Sequence, residues 1–182
     1  MIFPGKVEPV VIIGFSIFGF SMVLLYTMST LYHSFHQPKL KSIFKVLDHV
    51  SIYILIAGTY TPYMLISMHN FIGWLILGIV WMLAVIGILS EIFLSGRAIK
   101  IGQIIIYLSM GWACSFEISS LKAALPEMGF YLLLAGGIAY TVGIVFYVLD
   151  KLKWLGYAHG IWHLFVLTGS IAHFISIIGF VR

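Results

Sequence analysis

The sequence predicts an all-α, polytopic transmembrane bundle, and three observations carry that prediction. Hydrophobic residues make up 62% of the chain and charged residues 9%, against roughly 25% charged in a soluble domain. So few charges cannot cover a surface that faces water. The apolar residues fall into six long runs, each near the roughly 20 residues that cross a bilayer as a helix. Those runs are continuously apolar and do not alternate, which favours helices over a membrane barrel.

In order, helices are expected over residues 10–33, 46–68, 71–94, 101–118, 128–149 and 155–180. The breaks HQPKLKS, HNF, SGRAIK, LKAALPE and DKLKW hold most of the charges and helix breakers. None of them is long enough to separate two domains, so residues 1–182 read as one transmembrane domain. Pro62 is expected to kink the second helix after Gly58. Gly156 and Gly160 form a GxxxG step around His159, and Gly136–Gly137 a second small patch, where neighbouring helices are expected to approach closely. Trp74 and Trp154 fall at expected interfaces, as an aromatic belt requires. The first nine residues carry Lys6, Glu8 and two prolines. They lack the basic cluster and small-residue cleavage site of a signal peptide.

Loop charges supply an orientation. Lys39, Lys41 and Lys45, then Arg97 and Lys100, then Lys151 and Lys153 occupy alternate loops, whereas the opposite side holds Lys6, Lys122 and Arg182. By the positive-inside rule the first set is cytoplasmic, and both ends of the six-helix reading lie outside. The net charge of +4 is thus spread over short loops, which argues against a nucleic-acid partner and for membrane lipid. The single cysteine, Cys114, permits neither an internal disulfide nor a cysteine zinc cage and reads as a packing residue.

Ionisable groups near membrane depth are expensive and need a reason. His33 ends the first expected helix, Asp48 begins the second, and His159 and His163 begin the sixth. The topology brings all four to the cytoplasmic side. His159 and His163 are one turn apart on one helical face, and His33 would add a third nitrogen. Three protein ligands and an open position make the pattern of a catalytic zinc. Asp48 would bind the metal or hold a water, whose proton it would take. Ser29, one turn before His33, faces the same way and would hydrogen-bond a ligand or a substrate oxygen. His36, His49 and His69 read as interfacial or structural, as do Glu91 and Glu117. His173 lies deeper and reads as an interhelical hydrogen-bonding or cavity residue, not a ligand.

The same residues carry a family resemblance. STLYH, from Ser29 to His33, resembles the SxxxH motif of the hemolysin III family. LDHVSIYILIAGTYTPY, Leu47 to Tyr63, resembles that family's next helix, with Asp48 as its aspartate. HGIWHLFVLTGSIAH, His159 to His173, resembles its last helix with the HxxxH motif. That family is the bacterial branch of the progestin and adiponectin receptor (PAQR) family, grouped more distantly with alkaline ceramidases. Three separated motifs in the right order, spread over nearly the whole chain, make the resemblance specific. It implies zinc near the cytoplasmic face, ligands at His33, His159 and His163, a water held by Asp48, and Ser29 beside the site. It also implies seven helices, one of them before residue 10, where six are read here. A further helix would return the N-terminus to the cytoplasm and would remove none of the ligands.

Several functions are compatible with this pattern. The first is a zinc-dependent membrane hydrolase of lipid-like amide or ester substrates, as the ceramidase relationship implies. A second is a cytolytic or pore-forming hemolysin in which zinc only ties helices together, although no helix carries a sustained polar stripe. A third is a ligand-sensing receptor without turnover. A bis-histidine haem fits poorly, because the closest histidines share one helix. The sequence is silent on oligomeric state and on the identity of the substrate.

Overall fold

The computed structural model describes residues 8–182. The reading of the N-terminal segment through Val7, Lys6 included, lies outside the described residues. The protein is all-α and polytopic, and the described residues contain no strand. In chain order the helices are α1 (Pro9–Ser34), α2 (Pro38–Pro62), α3 (Phe71–Phe93), α4 (Arg97–Gly111), α5 (Ile118–Ala124), α6 (Glu127–Lys151) and α7 (Ala158–Phe180). Among the described residues, five segments are long and apolar enough to cross a membrane: Pro9–Ser34, Phe71–Phe93, Arg97–Ala124, Glu127–Leu152 and Ala158–Phe180. The chain forms two compact units, the first running to Cys114 with Arg182, the second comprising Ser115–Val181.

In the first unit α2 packs against α1, α3 and α4. It is more polar than its neighbours because those residues are enclosed: Asp48, Ser51, Thr59 and Thr61 are all buried. Thr59 and Thr61 return their hydroxyls to the carbonyls of Leu55 and Ala57 one turn back, so neither presents an unmet donor to the apolar interior. Trp81 of α3 donates its indole N–H to Thr61 Oγ1. Pro62 cannot donate to the carbonyl one turn back. The expected disturbance takes the form of a π turn, Tyr63–Ser67, directly after it, closed by Met68 N–H on Tyr63 O at 2.9 Å.

Two expected boundaries move. The second helix begins at Pro38, not residue 46, with a proline in its first turn. Proline suits that position because its missing N–H has no partner there in any helix. Lys39, Lys41 and Lys45 lie in these added turns, and a search for apolar runs passes over a helix that continues outside the bilayer. The fourth helix, expected to run unbroken over 101–118, stops at Gly111 and resumes as a 3-10 turn, Ala113–Glu117, followed by α5. Tyr60 of α2 spans the break. Its hydroxyl donates to Gly111 O at 3.0 Å and accepts from Cys114 N–H at 3.0 Å. Interrupted backbone is tolerated at membrane depth only where protein satisfies it, and one phenol here replaces two missing backbone partners.

In the second unit α6 and α7 pack closely. Of the expected close approaches, the one at Gly136 is present. A Cβ on Gly156, Gly160 or Gly137 would meet open space, whereas one on Gly136 would overlap the His173 ring and one on Gly169 would touch the Tyr140 ring. Polar crosslinks join the pair along its length. Ser176 donates to Gly129 O at 2.7 Å, His173 Nε2 bonds Leu133 O at 3.0 Å, and the Tyr140 and Ser170 hydroxyls pair at 2.8 Å.

Two substitutions test this packing. Tyr60→Phe removes both bonds across the helix break, and a loss of about 1–3 kcal/mol is expected, read as a lower midpoint of thermal unfolding in detergent. A Cβ on Gly87 would overlap the ring of fully buried Tyr53, whereas one on Gly78 meets nothing. Gly87→Ala should therefore cost about 1–3 kcal/mol, and Gly78→Ala should leave the midpoint level or raise it.

Candidate metal centre

The site is built on the first turns of α7. His159 and His163 stand one turn apart, with Nε2 atoms 3.2 Å from each other and ring planes at 85°. Two nitrogens bound to zinc at about 2.05 Å and at the tetrahedral angle lie about 3.3 Å apart. The spacing of the two imidazoles is compatible with one tetrahedral ion. Both are half-buried. Trp162, largely buried, lies between them in sequence and packs on both, with ring centroids 5.3 Å from His159 and 4.6 Å from His163. Tyr147 of α6 packs on the same indole at 5.1 Å, which restrains the rotation of this part of α7.

A carboxylate that sequence reasoning passed over reaches the pair. Asp150, in the last turn of α6, places Oδ2 3.3 Å from His159 Nδ1. It was read as a loop charge because its partner lies nine residues on, across a turn whose course only the folded chain reveals.

In the first unit, Ser29 and His33 lie on the last turns of α1. Ser29 is half-buried and His33 is exposed, its ring 4.7 Å from that of Tyr32. Asp48 is 3% exposed, and its backbone carbonyl accepts the Ser51 hydroxyl at 2.6 Å. It does not begin its helix as expected. It sits ten residues into α2, about 15 Å along the axis. The lysines of the preceding turns make Asp48 the first ionisable residue of the apolar stretch rather than the first residue of the helix.

A family model described as Haemolysin-III related matches residues 3–174. That span includes Ser29, His33, Asp48, Asp150, His159 and His163. The chain belongs to the Haemolysin-III related family. Hemolysin-3 of Bacillus cereus is 46% identical over 170 residues, covering 93% of this chain and 76% of the relative. A Hemolysin-3 homolog of Bacillus subtilis (strain 168) is 46% identical over 167 residues, covering 92% and 76%. The human Monocyte to macrophage differentiation factor is 29% identical over 170 residues, covering 88% and 67%.

Several other ionisable residues of this Haemolysin-III related chain have structural partners. Glu91, expected at an interface, is buried. Its carboxylate meets His49 Nδ1 at 2.9 Å and accepts from Lys100 Nζ at 2.9 and 3.0 Å. This joins α2, α3 and α4, and Tyr107 of α4 adds a bond to His49 O at 3.1 Å. His49, expected to be interfacial or structural, is the partner of buried Glu91. His69 stands edge-on to Trp74, His36 is exposed, and Glu117 accepts from Ser120. His173 crosslinks α6 and α7 through its bond to Leu133 O.

Glu91→Ala should lower the unfolding midpoint, at a cost of about 1–3 kcal/mol, because it strips a buried acceptor from His49 and Lys100. Zinc content of the purified variant should equal that of the wild type, which separates this network from the metal centre.

Proposed function

We propose that the chain is a zinc-dependent membrane hydrolase that cleaves an amide or ester bond of a lipid-like substrate on the cytoplasmic side. The observation that carries the reading is the 3.2 Å approach of the two Nε2 atoms of His159 and His163, a geometry suited to one tetrahedral ion. His33 completes the ligand set in this reading, because the end of α1 and the start of α7 fall on the same, lysine-rich side by the loop charges. The chemistry of the donors favours zinc, which takes neutral imidazole readily.

Bound zinc would supply a Lewis acid for the scissile carbonyl and lower the pKa of its water toward 7. The protein's own groups do the rest. Asp48 takes the proton of the attacking water as general base and returns it to the leaving nitrogen or oxygen as the acyl bond breaks. Its burial keeps that carboxylate away from bulk water. Ser29 donates its hydroxyl to the substrate carbonyl oxygen and orients it. The reading takes a lipid-like substrate because a site at the end of membrane helices lies beside lipid.

The name Hemolysin-3 borne by the bacterial relatives favours a second reading, membrane lysis with zinc as a helix tie. Two measurements divide the readings. Detergent-purified protein should hold one zinc, lost in His163→Ala and on chelation. Asp48→Ala should keep the fold and lose hydrolysis of lipid amides or esters by about 10²–10⁴-fold. Fully zinc-loaded protein that turns over no such lipid ends the hydrolase reading, and leakage from liposomes unaffected by Asp48→Ala supports lysis.

A further inference from the structure

The connection from α6 to α7 is unusually constrained for six residues that contain a single glycine, Gly156. Two of its non-glycine residues, Lys153 and Tyr157, adopt left-handed backbone angles, with φ 57° and 64°. L-residues seldom take that conformation, and it persists only where the surroundings impose it. The Tyr157 side chain is 93% exposed, so packing of its ring does not account for the strain. The turn is pinned instead by backbone bonds around Asp150: Lys153 N–H to Asp150 O at 3.0 Å, Trp154 N–H to Leu149 O at 3.1 Å, and Leu152 N–H to Val148 O at 3.0 Å. Tyr157 in turn accepts Ile161 N–H at 3.1 Å and starts α7. Across this turn Asp150 Oδ2 meets His159 Nδ1 at 3.3 Å.

His159 faces the carboxylate with one ring nitrogen and His163 with the other. We propose that Asp150 is the positioning residue of the metal centre, accepting the Nδ1–H of His159 and so holding the Nε2 lone pair toward the ion shared with His163. The inference rests on the zinc reading above and adds a residue to it. A ligating imidazole commonly donates its other N–H to a carboxylate, which fixes both tautomer and ring direction. Lys151 Nζ also lies near Asp150, 3.7 Å from the same oxygen, but its side chain is half-exposed and extends over the Tyr147 ring at 5.0 Å. Such a solvent-screened pair is weak and leaves the imidazole contact in place.

The test is zinc affinity of the full-length, detergent-purified protein, measured by competition with a chromogenic chelator. Asp150→Ala should weaken zinc binding about 10–100-fold. Asp150→Asn, which keeps the shape and a carbonyl acceptor, should recover most of that loss, and Lys151→Ala should match the wild type. The Co(II)-loaded protein adds a spectroscopic reading, since Asp150→Ala should alter its visible ligand-field bands while Lys151→Ala leaves them unchanged. Should Asp150→Ala fail to fold, nitrogen NMR of the zinc-loaded wild type decides: Nδ1 of His159 carries the proton if the proposal holds, and a bare or metal-bound Nδ1 overturns it. Zinc bound equally by wild type and Asp150→Ala overturns the role of Asp150 and leaves the metal centre standing. A wild type that binds no zinc overturns both. Zinc binding that depends on Asp150 without lipid turnover supports the positioning role and removes only the hydrolase.

Discussion

In hydrocarbon no water stands ready to accept or donate a hydrogen bond, and this one constraint organises the protein. Each backbone interruption and each polar side chain at membrane depth must find a partner inside the chain. Tyr60 shows the consequence most directly. The segment Arg97–Ala124 is long enough to cross as one helix, yet it breaks at Gly111, and the break persists because a single phenol accepts one orphaned N–H and donates to one orphaned carbonyl. The same requirement explains why Thr59 and Thr61 fold their hydroxyls back on α2 and why Ser176 and His173 reach across from α7 to carbonyls of α6.

Charge obeys a stricter form of the rule. Glu91 is buried, and its carboxylate is met from two other helices, by His49 and by Lys100. The network joins α2, α3 and α4 at a cost that only paired charges can meet in this setting. It gives His49 a role different from that of its sequence neighbour Asp48. Successive residues of a helix point about 100° apart, so adjacent ionisable groups can serve separate purposes: His49 meets Glu91, while Asp48 is the general base only in the reaction we propose.

The centre on α7 is assembled from parts of different rigidity. The spacing of His159 and His163 is a property of any helix, while Trp162 and Tyr147 restrict how that helix can turn. Asp150 comes from the preceding helix through a connection with two left-handed non-glycine residues. Membership of the Haemolysin-III related family, together with 46% identity to the Bacillus proteins, places these residues within a matched span. The direction of the His159 ring depends on a local turn, and it is that turn which gives the neighbouring carboxylate its reach.

The sequence by itself determined the all-α, membrane-crossing class, because hydrophobic runs of span length admit few alternatives in a bilayer. It determined the His159–His163 pair, because four-residue spacing on a helix sets distance without reference to the rest of the chain. The start of α2 escaped it, since a helix needs no apolar residues once it leaves the membrane. Only the tertiary structure decided the break after Gly111, the pairing of Glu91 with His49 and Lys100, and the contact between Asp150 and His159. The break depends on Tyr60, 51 residues away, and the Glu91 pairing on helices folded side by side. The contact depends on left-handed turn residues that no periodicity announces. Local spacing is written into the chain, whereas partners brought together by the path of the backbone exist only once that path is complete.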